Sequence, residues 1–280
     1  METPRVTRRA TGWTRVSPFP LEPPPLPREH GSWFMLLVPC AAGLVAADGV
    51  NLPGLLFALV ATAFFLARQP LLLLIRKGQQ PRLSWRFWLG TWAAVSGFGL
   101  AMLLLVYRRL PLLSISLVGL ALLVYEVWRW RRSPRPDLGT ELLAAVGMAS
   151  SAPGAYVAVR GLFDQGAAVV WALSALYFLA AVFYINLMLA WLKRNPQSQR
   201  DRWYLGLPTI RAHVAALAAG LVLTLAGWAP LLAPLAFLPA LAKTLWQVPF
   251  GGRETSFKRL GLIEAAHSLV FLALLLIAYR

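Results

Sequence analysis

Apolar segments of membrane-spanning length recur along almost the whole of this 280-residue chain. Each holds about 17 to 25 residues, the length that crosses the hydrocarbon core of a bilayer as an α-helix. Hydrophobic residues make up 58% of the chain and charged residues only 14%, which is too little charge to cover the surface of a soluble domain. The pattern therefore predicts an all-α, polytopic membrane protein embedded in the lipid bilayer.

Nine transmembrane helices fit the alternation of apolar blocks and polar connections. We place them at Ser32–Ala47, Pro53–Ile75, Phe87–Tyr107, Leu110–Trp128, Glu141–Val159, Ala167–Trp191, Ala212–Trp228, Pro230–Gln247 and Leu262–Tyr279. Residues 1–27 are polar, basic and proline-rich, which predicts a disordered cytoplasmic tail. Residues 28–280 then form a single helical domain.

The distribution of arginine and lysine predicts which helix ends face the cytoplasm. Of the 27 residues of these two types, only Arg108, Arg109, Arg160 and Arg280 fall in connections or ends on the side opposite to the N-terminus. The N-terminus is therefore predicted inside and the C-terminus outside, in the bacterial cytoplasmic (inner) membrane. The net charge of +16 then reflects membrane topology, and no nucleic-acid partner is expected.

Polar side chains within the helices or at their edges are concentrated in the cytoplasmic halves. A charged side chain near the bilayer centre is costly unless it is paired, hydrated or able to reach the interface. The residues concerned are Glu29, His30, Arg68, Glu141, Tyr184, Asn186, Arg211, His213, Lys243, Gln247, Glu264 and His267. We expect the helices to enclose a polar cavity that opens to the cytoplasm and contains these residues.

Such a cavity suits a lipid or isoprenoid-type ligand with an anionic head group, because arginine binds phosphate and carboxylate groups by paired hydrogen bonds. The ligand-binding candidates are Arg28, Arg68, Tyr184, Asn186 and Lys243. Histidine titrates near neutral pH and carboxylates orient or replace it in acid–base catalysis. The catalytic candidates are His30, His213, His267, Glu29, Glu141 and Glu264.

Structural roles explain several of the same residues. Arg68 and Lys243 lie close enough to helix ends to extend to the interface as anchors. Glu141 follows Thr140 at the start of a helix, where a carboxylate interacts favourably with the helix dipole. Tyr184 and Asn186 are suited to hydrogen bonds between helices. The sequence leaves these alternatives open beside the ligand-binding interpretation.

The segment Pro27–Pro39, which opens Pro-Arg-Glu-His-Gly-Ser-Trp, resembles the YwiC-like family of bacterial membrane proteins. The resemblance extends to four later segments and covers most of the chain after residue 26. Those segments are Arg68–Leu71, Thr140–Leu143, Tyr184–Asn186 and Glu264–His267. The resemblance implies a helical membrane protein and carries no established activity or cofactor.

The arrangement of helices is also similar to that of UbiA-type prenyltransferases. That similarity implies aspartate-rich motifs late in the second and sixth helices, where they hold Mg²⁺ against a prenyl diphosphate. This chain has Ala67–Pro70 and Tyr184–Leu187 at those places, with no aspartate in either helix. Mg²⁺ requires hard oxygen ligands, so a Mg²⁺-diphosphate cofactor and ordinary prenyl transfer are disfavoured.

Two other classes of function remain open from the sequence. Glu264 and His267 are three residues apart on one helical face, a spacing found in metal-binding bundles, but a complete site needs further ligands from other helices. The polar residues also suit a small-molecule transporter or a non-enzymatic assembly factor. No internal repeat is evident, and the polar residues lie toward one membrane face, which favours the ligand-binding interpretation over transport.

Overall fold

The computed structural model describes residues 22–27, 30–75, 82–132, 137–194, 196, 198–251 and 257–280. Ten α-helices account for most of this part of the chain. They are α1 His30–Ala46, α2 Leu52–Ile75, α3 Leu83–Ala101, α4 Leu112–Arg132, α5 Leu138–Ala149, α6 Ser151–Arg160, α7 Gln165–Arg194, α8 Gln199–Leu225, α9 Leu238–Phe250 and α10 Phe257–Ala278. The described residues form no strands, and the all-α helical bundle is confirmed.

Each of the nine predicted helices corresponds to helical structure, but three differ in detail. The seventh, predicted to begin at Ala212, begins at Gln199 as α8. The fifth is two helices, α5 and α6, which meet at Ser150. The eighth consists of a 3₁₀ turn at Ala233–Phe237 followed by the 13-residue α9. Pro234 lies at the start of that turn, where proline is tolerated because the first backbone N–H groups of a helix have no partner.

Seven helical segments in the described chain are long and apolar enough to cross a membrane. In that count α5 and α6 form one segment, and α3 continues through the π-helical turn Met102–Val106. Helix α1 is shorter, with 17 residues or about 25 Å of length. The chain is thus an integral, multi-pass membrane protein.

Connections gather at the two ends of the bundle. At one end, the Arg160 guanidinium lies 2.8 Å from the Asp48 carboxylate, and the side chains of Asn51 and Arg109 donate to the Val159 carbonyl. At the other, Gln199 donates to the Pro249 carbonyl. The second end is the arginine-rich one, and its assignment to the cytoplasm stays a prediction.

Helix α1 lies at the centre of the bundle, packed against α2, α5, α6, α7 and α10. Gly43 of α1 lies directly against the backbone of Ala152 in α6, so closely that a Cβ atom at this position would collide with the Ala152 carbonyl. The Ser151 hydroxyl donates to the Leu36 carbonyl at 2.8 Å across the same contact. Small residues allow this approach of two backbones, as is common between membrane helices.

Burial differs sharply between helices. Half of the residues of α7 are buried, and its aromatic residue Tyr177 stacks on Phe271 of α10 with ring centroids 4.0 Å apart. In α4, by contrast, Leu112 at the N-terminal end is the buried residue. Helix α4 is therefore packed loosely against the rest, and this loose packing leaves room for the cavity described next.

Candidate functional site: an apolar cavity with a polar rim

A cavity of about 1220 Å³ separates α4 from the helices at the centre of the bundle. Side chains of α1, α2, α3, α4, α5, α7 and α10 line it. Most of the lining is leucine, alanine, phenylalanine and glycine, so its walls are apolar over most of their area. A cavity of this size and character is suited to an apolar or amphipathic ligand.

Charged side chains line this cavity only toward the arginine-rich end of the bundle. Together with one serine, they form what we call the polar rim. Its members are Ser32, Arg68, Glu126, Glu141, Lys258 and Glu264. They come from α1, α2, α4, α5 and α10, and each lies within about two turns of the arginine-rich end of its helix.

The Arg68 guanidinium binds the Glu126 carboxylate and so connects α2 to α4. Its Nε lies 3.0 Å from Oε1 and 2.8 Å from Oε2, and its Nη2 also contacts Oε1. The side chains keep 28% and 24% of their area exposed. Arg68 is therefore a partner of a carboxylate rather than an isolated anchor, and α2 continues past Pro70 to Ile75.

Glu126 was missed in the sequence analysis. It lies just before the arginine cluster that ends α4, where a charge is easily interpreted as interfacial. The available signal was an acidic residue in an otherwise apolar helix, within reach of a membrane-embedded arginine on another helix. A charged side chain at that depth needs a partner of opposite charge, so an acidic residue was to be expected near Arg68.

Glu141 and Asn186, both predicted from the sequence, are direct partners. The Asn186 Nδ2 donates to Glu141 Oε2 at 2.5 Å and to the Val182 carbonyl at 3.1 Å, linking α5 to α7. Glu141 follows a capped helix start: Asp137 accepts from the backbone N–H of Thr140. Hydrogen bonds from the Thr140 hydroxyl and N–H, and then from Arg129, hold the pKa of Asp137 well below its usual range.

Lys243, Glu264 and Tyr184 form a second group of predicted residues behind the rim. Lys243 Nζ binds Glu264 Oε1 and lies 3.7 Å from the centroid of the Tyr184 ring. The Lys243 and Glu264 side chains keep only 11% and 9% of their area exposed. Glu264 lines the cavity, whereas Lys243 and Tyr184 support it from the side of α9 and α7.

The two described histidine side chains do not line the cavity. His213 is buried, with Nδ1 2.9 Å from the Thr209 carbonyl and Nε2 3.4 Å from the Thr244 hydroxyl. His267 Nδ1 lies 2.9 Å from the Ile263 carbonyl. Each Nδ1 faces a carbonyl and so carries the proton.

The side chains of three predicted site residues lie outside the part of the chain that the structure describes. Arg28 and Glu29 are not described, and neither is the side chain of His30, which begins α1. Among the residues that are described, no group of three or more His, Cys, Asp or Glu side chains is arranged to hold a metal ion. Glu264 instead has Lys243 as its partner, and His267 has a backbone carbonyl.

The part of the chain that supplies four of the six rim residues matches a known protein family. Residues 26–156 match the YwiC-like protein family. The match confirms the resemblance to that family. It includes α1, α2, α4 and α5, and hence Ser32, Arg68, Glu126 and Glu141 of the polar rim.

A relative matches this chain over a longer stretch. The protein YwiC of Bacillus subtilis strain 168, described as uncharacterized, is 25% identical over 257 residues. The alignment covers 89% of this chain and 96% of the relative. No solved structure matches the chain, so the expected likeness to UbiA-type prenyltransferases stays a prediction.

Proposed function

We propose that this YwiC-like protein binds a lipid or isoprenoid-type ligand, with its hydrocarbon chain in the apolar cavity and its head group at the polar rim. The observation that carries the proposal is the shape of the site: about 1220 Å³ of apolar space that ends in a ring of charged side chains on one side. A ligand with one long apolar part and one polar end has the same division.

The position of α4 supports entry from the membrane. This helix borders the cavity, and within its described residues only Leu112 is buried. Its ion pairs at the other end join Glu126 to Arg68 and Arg129 to Asp137. A lipid in the bilayer core can therefore reach the cavity beside α4 without passing through water, which would cost about 0.8 kcal/mol for each exposed methylene.

Arg68 and Lys243 are the membrane-embedded cations expected to bind an anionic head group, and in the structure each has a glutamate partner. Binding alone is compatible with catalysis, with transport and with an assembly role. The experiment on ligand retention comes first because all three need the same bound molecule.

Two glycines allow the cavity to be filled without disturbing its walls. Gly97 and Gly119 line the cavity, and a Cβ atom at either would meet nothing within 4 Å. Gly90 has the same open surroundings but does not line the cavity. Gly97→Trp and Gly119→Trp are therefore filling variants, and Gly90→Trp is their matched control.

The test is native mass spectrometry of the protein released from mild detergent, with lipid extraction from the same sample. We expect a lipid or isoprenoid at about one copy per chain in the wild type and in Gly90→Trp, and its loss in both filling variants. A wild-type protein without bound lipid, or filling variants that retain it, would overturn the proposal.

A further inference from the structure

We propose that the head group recognised at the polar rim is uncharged and hydrogen-bonding, such as a hydroxyl or a carbonyl, rather than a phosphate or diphosphate. This inference deepens the proposed function and rests on it. It is carried by the balance and the pairing of charges around the cavity.

The charges at the rim cancel. Two cations, Arg68 and Lys258, and three carboxylates, Glu126, Glu141 and Glu264, line the cavity among the described residues. Lys243, which binds Glu264 from behind, supplies a third cation. From the described residues, an anionic head group placed here would meet no excess of positive charge to compensate for its lost hydration.

The two membrane-embedded cations also have their hydrogen-bonding groups directed at carboxylates. Arg68 presents Nε and Nη2 to Glu126 in a side-on pair. Lys243 lies between the Glu264 carboxylate and the face of the Tyr184 ring. A phosphate that took the place of either carboxylate would leave the displaced carboxylate as an unpaired charge in the membrane.

Lys258 is the remaining cation of the rim. Its side chain is exposed, so its charge is hydrated and contributes little to binding an anion at the cavity. A metal-bridged diphosphate has no better support, because the described carboxylates do not form a group of three that could hold a metal ion.

An uncharged head group has suitable partners at the same place. Glu141 uses one oxygen for Asn186, and its carboxylate lines the cavity beside Thr140. The Ser32 side chain belongs to the rim, and Ser116 of α4 lies further along the wall. A carboxylate or a serine hydroxyl of this kind accepts from an alcohol, and the hydroxyl also donates to a carbonyl, at no cost in net charge.

The experiment compares two ligands with the same chain: geranylgeraniol and geranylgeranyl diphosphate, added to the protein in nanodiscs of phosphatidylcholine. Binding is measured by the rise in thermal denaturation midpoint and by native mass spectrometry. We expect the alcohol to bind at least tenfold more tightly than the diphosphate, with little dependence on salt. Tighter, salt-sensitive binding of the diphosphate would overturn the inference.

A variant adds a second readout. Glu126→Gln removes the carboxylate that binds Arg68, so it should raise affinity for the diphosphate at least tenfold and reduce the preference for the alcohol by a similar factor. Glu22→Gln, which removes the exposed partner of Arg82 away from the cavity, is the control and should change neither. An unchanged preference in Glu126→Gln would count against the role assigned to the Arg68–Glu126 pair.

The two proposals fail in different ways. If neither ligand binds and the purified protein carries no lipid, the proposed function fails and this inference with it. If the wild type retains a lipid that the filling variants lose, the chemical identity of that lipid's head group tests this inference directly. A phosphate-bearing lipid would refute an uncharged head group and leave the cavity assignment intact, whereas an alcohol or quinone would support both.

Discussion

Arg68 and Glu126 lie 58 positions apart in the sequence and form a side-on ion pair between α2 and α4 at the edge of the apolar cavity. Because α4 buries Leu112 at its opposite end and little else, this pair is the main polar contact that fixes its arginine-rich end. The same two residues therefore bear on the stability of the bundle and on the access of lipids to the cavity.

Breaking this pair should destabilise the protein. Arg68→Met leaves Glu126 unpaired at membrane depth, and we expect a loss of about 1–3 kcal/mol, less than for a fully buried pair because both side chains are partly exposed. The double variant Arg68→Met with Glu126→Leu should recover most of the loss. Thermal denaturation in detergent measures the stability of the single and the double variant. Arg82→Met is the control, since its pair with Glu22 is mostly exposed; an equal loss there would contradict the argument.

The Lys243–Glu264 pair should show strong coupling in a double-mutant cycle. Both side chains are almost fully buried, so Lys243→Met or Glu264→Leu alone leaves an uncompensated charge. We expect the double variant to be more stable than either single one, with an interaction energy on the order of 1–3 kcal/mol. Tyr184→Leu, which removes the ring but no charge, should cost less than Lys243→Met. Additive single effects would show that the pair is not coupled.

Backbone contact between α1 and α6 makes Gly43 intolerant of any side chain. Gly43→Ala should greatly reduce the yield of folded protein, because the Ala152 carbonyl belongs to a buried helix and has no room to move. Gly90→Ala, at an open position of α3, should be neutral or slightly stabilising, since alanine favours helix over glycine. Size-exclusion chromatography of detergent extracts distinguishes the two. A normal profile for Gly43→Ala would refute the close packing.

The predicted orientation has a direct test by cysteine labelling. Leu162 and Arg200 are exposed and lie beyond opposite ends of the 30-residue α7. With the buried Cys40 changed to serine, Leu162→Cys should react with a membrane-impermeant maleimide in intact spheroplasts. Arg200→Cys should react only after lysis. The reverse pattern would place the N-terminus outside.

Much of the fold was accessible from the sequence because apolar block length and arginine placement are strong, independent signals. All nine predicted helices correspond to helical segments, including the short one before Asp48. The breaks within the fifth and eighth helices have local signals that the predicted bounds did not use. Pro153 has no backbone N–H to donate to the Ala149 carbonyl, next to the break at Ser150. Pro234 lies at the start of the 3₁₀ turn at Ala233–Phe237.

The polar residues were located from the sequence more readily than their partners. Membrane depth made Arg68, Glu141, Asn186, Lys243 and Glu264 conspicuous, because polar groups are rare and costly there. Which of them meet depends on helix rotation and neighbours, and one-dimensional periodicity does not encode either. The two ion pairs and the absence of His213 and His267 from the cavity lining therefore required coordinates.

The central position of α1 has a consequence for how the protein is made. Among the described helices this one leaves the ribosome first, and its partners α6, α7 and α10 are synthesised more than a hundred residues later. During that interval its small-residue face, which includes Gly43 and the Leu36 carbonyl, contacts lipid or the insertion machinery instead of its final partners. Assembly of the core is then a late, post-insertion event, and a chain truncated before α6 should leave α1 without these three partners and open to proteolysis.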